Sequence, residues 1–114
     1  MTEPTLFEKI IAREIPADIV FEDDLCIAFR DIAPQAPFHV LLCPKVPIKM
    51  LSDAVDGDGK LLAHLLLTAP RVAQSLGYPD GFRVVVNNGS DAGQTVFHLH
   101  LHILAGRPFD WPPG

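Results

Sequence analysis

The segment His98-Leu99-His100-Leu101-His102-Ile103-Leu104 sets three imidazoles on alternate residues with aliphatic side chains between them. In an extended strand alternate side chains share a face, so the three rings line one side and Leu99, Leu101 and Ile103 the other. Each step along that face is about 6.5–7 Å. An imidazole is costly to bury unless it is hydrogen-bonded, and three so close together are hard to explain by packing alone. Three readings stay open on these residues: a polar face of solvated or hydrogen-bonded histidines, a zinc or copper site, and a nucleophilic site. In the third, neutral imidazole attacks phosphorus and a neighbouring ring handles the proton.

The preceding loop, Asn87-Asn88-Gly89-Ser90-Asp91-Ala92-Gly93-Gln94-Thr95, bears on the choice. It offers amide, hydroxyl and backbone N–H donors, and its glycines let an anion approach closely. Such donors suit a phosphate and the charge that develops on it. A zinc site would want a further ligand, and Asp91 is the acidic residue nearest in sequence.

The surrounding sequence supplies a frame for the histidines. Thr5 and Glu8 have capping-box spacing for a first helix that ends by about Glu14, ahead of Pro16. Residues 19–22 and 25–30 read as a hairpin turned at Asp23-Asp24, and residues 38–43 as a central strand stopped by Pro44. Ser52 is placed to cap a short turn. Residues 58–76 carry helical apolar spacing closed by Gly77, with a kink or early break expected at Pro70. Residues 82–87 and 96–104 complete about five strands and two helices, an α+β order with an antiparallel sheet. His64 and Asp56-Gly57-Asp58-Gly59 read as surface helix and loop, and the latter is too short for a calcium loop.

The 114 residues allow one domain, 1–114, and a single core. With 48% hydrophobic and 20% charged residues the chain is typical of a folded protein. A net charge of −5 argues against nucleic acid or an anionic membrane as partner. The start, Met1-Thr2-Glu3-Pro4, lacks the pattern of a signal peptide, and Cys26 and Cys43 read as reduced core thiols, so a cytoplasmic location is expected.

The stretch from Gly89 to His102 resembles the motif of the histidine-triad superfamily, His-φ-His-φ-His-φ-φ with φ apolar. The segment from Ala28 to Pro37, Val85-Val86-Asn87 and the ending Trp111-Pro112-Pro113-Gly114 extend the resemblance over nearly the whole chain. They point to the Hint branch, the histidine triad nucleotide-binding proteins with purine nucleoside phosphoramidase activity. His102 stands where the uridylyltransferase-like branch carries Gln, which favours hydrolysis. The fragile-histidine-triad branch, which splits dinucleoside polyphosphates, lacks the Trp-Pro-Pro-Gly ending and is the runner-up. A metal-binding protein and a non-catalytic nucleotide-binding adaptor are rivals from other classes.

The resemblance implies a role for each site residue. His100 is the nucleophile, His102 bonds a phosphate oxygen, His98 buttresses the site, and His39 is the additional histidine on the neighbouring strand. Thr95, where the branch commonly has Ser, contacts the leaving atom. Asn87, Gly93 and Gln94 lie at the phosphate, and Asp31 accepts hydrogen bonds from the ribose hydroxyls. Phe7, Ile10, Phe29 and Ile32 form the slot for the base. Ala92 replaces a usual glycine. The tail, 105–114, carries Trp111 toward a partner subunit, so a homodimer with sheets joined across it is expected. A purine nucleoside monophosphate or its conjugate is the expected ligand, and the chemistry needs neither metal nor cofactor.

Overall fold

The computed structural model describes residues 3–114. Met1 and Thr2, the first residues of the segment read as lacking a signal peptide, lie outside the described residues. The first helix, α1 (Leu6–Ile11), begins as the capping box requires. Thr5 Oγ1 accepts from the Glu8 N–H at 3.2 Å, and Glu8 Oε1 accepts from the Thr5 N–H at 3.1 Å. α1 stops at Ile11, earlier than Pro16 alone would impose, because Arg13 takes a left-handed conformation at φ 63° and turns the chain. Arg13 is ion-paired with Glu22 on the strand that follows.

Five strands, β1 (Ile19–Glu22), β2 (Cys26–Arg30), β3 (Phe38–Pro44), β4 (Phe82–Val85) and β5 (Leu101–Ala105), form one antiparallel sheet in the order β1-β2-β3-β5-β4. The hairpin turn closes at Asp23, whose Oδ1 accepts the N–H groups of Leu25 and Cys26, both at 2.8 Å. β3 is buried along its whole length, as expected for the middle of the sheet. The long helix α2 (Gly59–Ser75) lays Leu65, Ala69, Val72 and Ala73 against one face of the sheet, over Val40, Leu42, Leu101 and Ile103. α1 covers the other face, where Phe7 and Ile10 meet Ile27, Phe29, Leu41 and Cys43. Cys26 and Cys43 are both buried and unpaired, one in each layer.

Four sequence expectations need correction. Of the kink or early break expected at Pro70, the break does not occur: α2 continues to Ser75, with Pro70 on the exposed side of the helix while Thr68, Ala69, Val72 and Ala73 hold the buried side on the sheet. Ser52 caps nothing: it lies inside a 3₁₀ turn, Leu51–Asp53, and its N–H goes to Asn88 Oδ1 at 2.8 Å. β4 ends at Val85, two residues short of Asn87. β5 begins at Leu101, not at Val96. Pro44 has no N–H to extend the β3–β5 ladder beyond the Leu42–Leu101 pair, and the Leu99 N–H turns instead to Ile48 O at 2.6 Å. Gly77 behaves as expected. It takes φ 99°, and the Gly77 and Tyr78 N–H groups bond back to Gln74 O and Ala73 O to finish α2. Among the described residues no helix is long and apolar enough to cross a membrane.

Candidate active site

Although the ladder stops at Leu101, the period-two alternation continues back through the histidines. Leu99, Leu101 and Ile103 sit in the core layer under α2, and the imidazoles lie on the side of the sheet that carries α1. Phe7 of α1 meets His100 edge-on, centroids 4.9 Å apart, and lies 6.3 Å from the His98 ring. His100 and His102 are 5.0 Å apart.

Each ring has a different second partner. His98, sealed from solvent, donates from Nε2 to the Pro44 carbonyl at 2.7 Å, while its Nδ1 finds no partner among the described residues. His100 donates from Nδ1 to the carbonyl of His98 at 2.6 Å. A neutral His100 therefore keeps its lone pair on Nε2. His102 Nδ1 shares a 2.9 Å hydrogen bond with His39 Nε2 from β3, reached diagonally across the Leu41–His102 pair. Asp31 Oδ2 lies 3.5 Å from the same His39 nitrogen, and Asp31 Oδ1 accepts from the Ala33 N–H at 2.8 Å.

His100 and His102 open onto a cavity of about 600 Å³. Phe7, Ile10, Phe29, Ile32, Asp31 and Thr95 share its wall with them. Ile32 is almost fully exposed at 97%, an apolar side chain at the rim with nothing of its own chain over it. The remaining sequence-predicted residues stand apart from that wall. His98 and His39 lie behind it, and Asn87 sits beside Gly93, whose Cα takes φ 95°. Trp111, 83% exposed, does not line the cavity of its own chain.

Gln94 is buried, and its side chain is fully engaged in holding the loop. Nε2 donates to Lys49 O and Val96 O, and Oε1 accepts from the Gly89 N–H. Its backbone N–H is taken as well, by Gly89 O at 3.1 Å, so Gln94 has no free donor for a phosphate and serves the loop instead of the ligand. Gln94→Ala strands those three groups, and a loss of about 2–3 kcal/mol in urea denaturation is expected. A variant as stable as wild type would show that the loop does not depend on this amide.

Sequence reasoning missed Ile15, Pro16 and Ala17, which also line the cavity. Pro16 was legible only as a helix stop. It also missed that His64 on α2 bonds Asp23 at the hairpin turn, Nε2 to Oδ2 at 2.7 Å. Asp23, Cys26 and His64 lie close enough to share an ion, as do Asp31, His39 and His102. Neither grouping gathers the triad: the first lies at the hairpin turn, and of the three triad histidines the second takes only His102.

Burial lowers the pKa of His39, His98, His100 and His102 below the ordinary histidine value. His102 falls to about 4, pushed first by burial and then by the nearby His100 and His39. These rings are therefore neutral at pH 7. The unfolded chain binds protons near pH 6.5, before the folded chain does, so stability is full above that pH and falls as the solution is acidified toward 4. A thermal midpoint that drops steadily between pH 6.5 and 4.5 is expected in calorimetry; a flat profile would contradict the neutral buried rings.

Residues 12–109 match the HIT domain family. The chain is 66% identical to an uncharacterized HIT-like protein of Synechocystis sp. over 114 residues, all of both chains. It is 50% identical to the adenylylsulfatase HINT1 of Arabidopsis thaliana over 113 residues, 97% of this chain and 77% of that protein. A HIT family hydrolase from Legionella pneumophila superposes with a TM-score of 0.94 at 50% identity, covering 97% of this chain and 100% of that one. A histidine triad protein from Clostridium difficile does so at 0.89 and 41%, covering 96% and 97%. A triad of imidazoles on one face, carried by this sheet order and matched across almost the full chain, places the protein in the histidine-triad (HIT) domain family, on its Hint-like branch.

Proposed function

We propose that the protein is a hydrolase of purine nucleoside 5′-phosphoramidates that works through a nucleotidyl-His100 intermediate. The observation that carries this reading is the pinning of His100 Nδ1–H on the His98 carbonyl, which leaves Nε2 as the ring's free nitrogen on the wall of the cavity. Depression of its pKa by burial supplies the free base that a nucleophile needs at neutral pH.

In the first displacement His100 Nε2 forms a bond to the α-phosphorus while the P–N bond breaks. The amine leaves with a proton that the Thr95 hydroxyl takes from a solvent water as it gives up its own, and His102 supports the charge gathering on a phosphate oxygen. Water then attacks phosphorus and loses a proton to solvent, replacing the one spent on the amine; the P–Nε2 bond breaks, and nucleoside monophosphate departs with His100 restored. Phe7, Ile10, Phe29 and Ile32 provide an apolar slot for the base, and the unused lone pairs of Asp31 suit the ribose hydroxyls. The phosphate would be met by the Asn87 side-chain amide beside Gly93, whose own N–H already donates to Ser90 O at 3.0 Å and is not a free donor. In a homodimer the exposed Trp111 of each subunit would close the partner's cavity.

A second reading concerns the leaving group alone. The name of the Arabidopsis relative supports sulfate as an alternative to an amine, with the same attack on phosphorus. Turnover of adenosine 5′-phosphoramidate, adenylyl sulfate and diadenosine polyphosphate by the same preparation separates the possibilities. Fastest cleavage of the P–N substrate is expected. Cleavage of the dinucleotide alone, or AMP binding without turnover of any of the three, would overturn the proposal.

A further inference from the structure

Arg107 is exposed, lies just beyond β5 and does not line the cavity. Its Nε and Nη2 both donate to the Gln35 carbonyl, at 3.3 and 3.1 Å, and its guanidinium stacks 4.3 Å from the centre of the Phe109 ring. The same residue, Gln35, donates its backbone N–H to His39 Nδ1 at 3.0 Å. We propose that Arg107 is a positioning residue: by clamping Gln35 onto His39 it fixes which ring nitrogen of His102 carries the proton. This inference rests on the reading of His102 as the donor to the substrate phosphate.

The hydrogen bond between His39 and His102 cannot choose a direction by itself. Proton on His39 Nε2 with a lone pair on His102 Nδ1 satisfies it, and so does the reverse. The two arrangements differ in what His102 shows to a ligand. In the first, His102 bears its proton on Nε2, the nitrogen left for a phosphate oxygen. In the second, Nε2 is a lone pair that repels that oxygen.

The Gln35 N–H settles the choice, because a backbone N–H can only donate. His39 Nδ1 must then be an acceptor, and a neutral His39 carries its proton on Nε2. The Asp31 carboxylate, 3.5 Å from that nitrogen, favours the same form. His39 therefore donates to His102 Nδ1, and His102 keeps its own proton on Nε2. Loss of the Gln35 N–H would remove the main bias between the two forms.

The experiment uses the full chain labelled with ¹⁵N in its histidines, with long-range ¹⁵N–¹H spectra at neutral pH and kinetics on adenosine 5′-phosphoramidate. In wild type, His39 and His102 are expected as Nε2–H forms. In Arg107→Ala both shift toward a mixture, with kcat lower by about tenfold and KM little changed. Arg107→Lys, which keeps one donor, recovers most of the loss. Arg83→Ala is the control for tail disturbance, since Arg83 also stacks on Phe109 and bonds Asp110 O but does not touch Gln35. It should keep the wild-type proton pattern. Gln35→Pro, which deletes the N–H and spares the carbonyl, should reproduce the shift if it folds, and the Arg107 variants decide the matter if it does not. His102 found as the Nδ1–H form in wild type would overturn the inference. So would an Arg107→Ala protein with unchanged protons and rate, or equal shifts in Arg107→Ala and Arg83→Ala. A wild type with the expected protons but no turnover of the phosphoramidate would instead sink the functional proposal alone.

Discussion

His100→Ala is expected to lower kcat for a purine nucleoside phosphoramidate by on the order of 10⁴-fold or more, while binding of AMP survives. The size follows from what is removed. Without the ring no nitrogen replaces Nε2: His98 is sealed behind His100 with its Nε2 on Pro44, and His102, which accepts from His39 at Nδ1, carries its proton on Nε2 and has no lone pair to offer. On the proposed reading binding survives because Phe29, Ile32 and Asp31, which line the same cavity, would still hold the nucleoside. Steady-state kinetics with calorimetric titration of AMP checks both halves. A His100→Ala protein that loses AMP binding as completely as turnover would mean that the ring serves affinity rather than attack. His98→Ala makes a useful contrast: it keeps the backbone carbonyl that holds His100 and loses only the buried ring and its bond to Pro44 O, so it should combine a smaller rate loss with a clear loss of stability.

Gly106→Ala is expected to destabilise the fold by about 3 kcal/mol or more. Two effects add there. Gly106 sits at φ 95°, where a side chain is strained, and an added Cβ would lie 2.8 Å from Pro37 Cβ and 3.4 Å from the Tyr78 ring. Pro37 is part of the segment that enters β3 just before His39, so the strain falls on the connection that aims that ring. Gly89→Ala separates the two effects. Gly89 has φ 87° but no atom within 4 Å of a Cβ, leaving backbone strain alone, about 1–2 kcal/mol. Urea denaturation of both variants is the check. Equal losses at the two positions would mean that the approach of Gly106 to Pro37 is not a tight one.

The parts of this molecule that obey a short period were legible in its sequence. The alternation of His98, His100 and His102 with Leu99, Leu101 and Ile103 survives even where the β ladder does not, because side-chain direction follows extended backbone rather than strand pairing. The Thr5–Glu8 capping box and the Asp23 turn were likewise readable, each being set by a few neighbouring residues. What escaped depended on partners far along the chain. Pro70 reads as a breaker until its exposed position on a helix held by packing is known. The engagement of Gln94 with Lys49 and the bond between His64 and Asp23 span 45 and 41 residues. The Gln35 N–H is invisible to any reading of side-chain types, since every residue but proline carries one.

The most direct measurement is capture of the intermediate. Protein mixed with adenosine 5′-phosphoramidate, quenched in alkali within the first turnover and digested for mass spectrometry should yield an adenylyl group on the peptide spanning His98 to His102, located on His100. The group should vanish in His100→Ala. Rapid turnover with no protein-bound nucleotide, or an adenylyl group carried by a residue other than His100, would contradict the account.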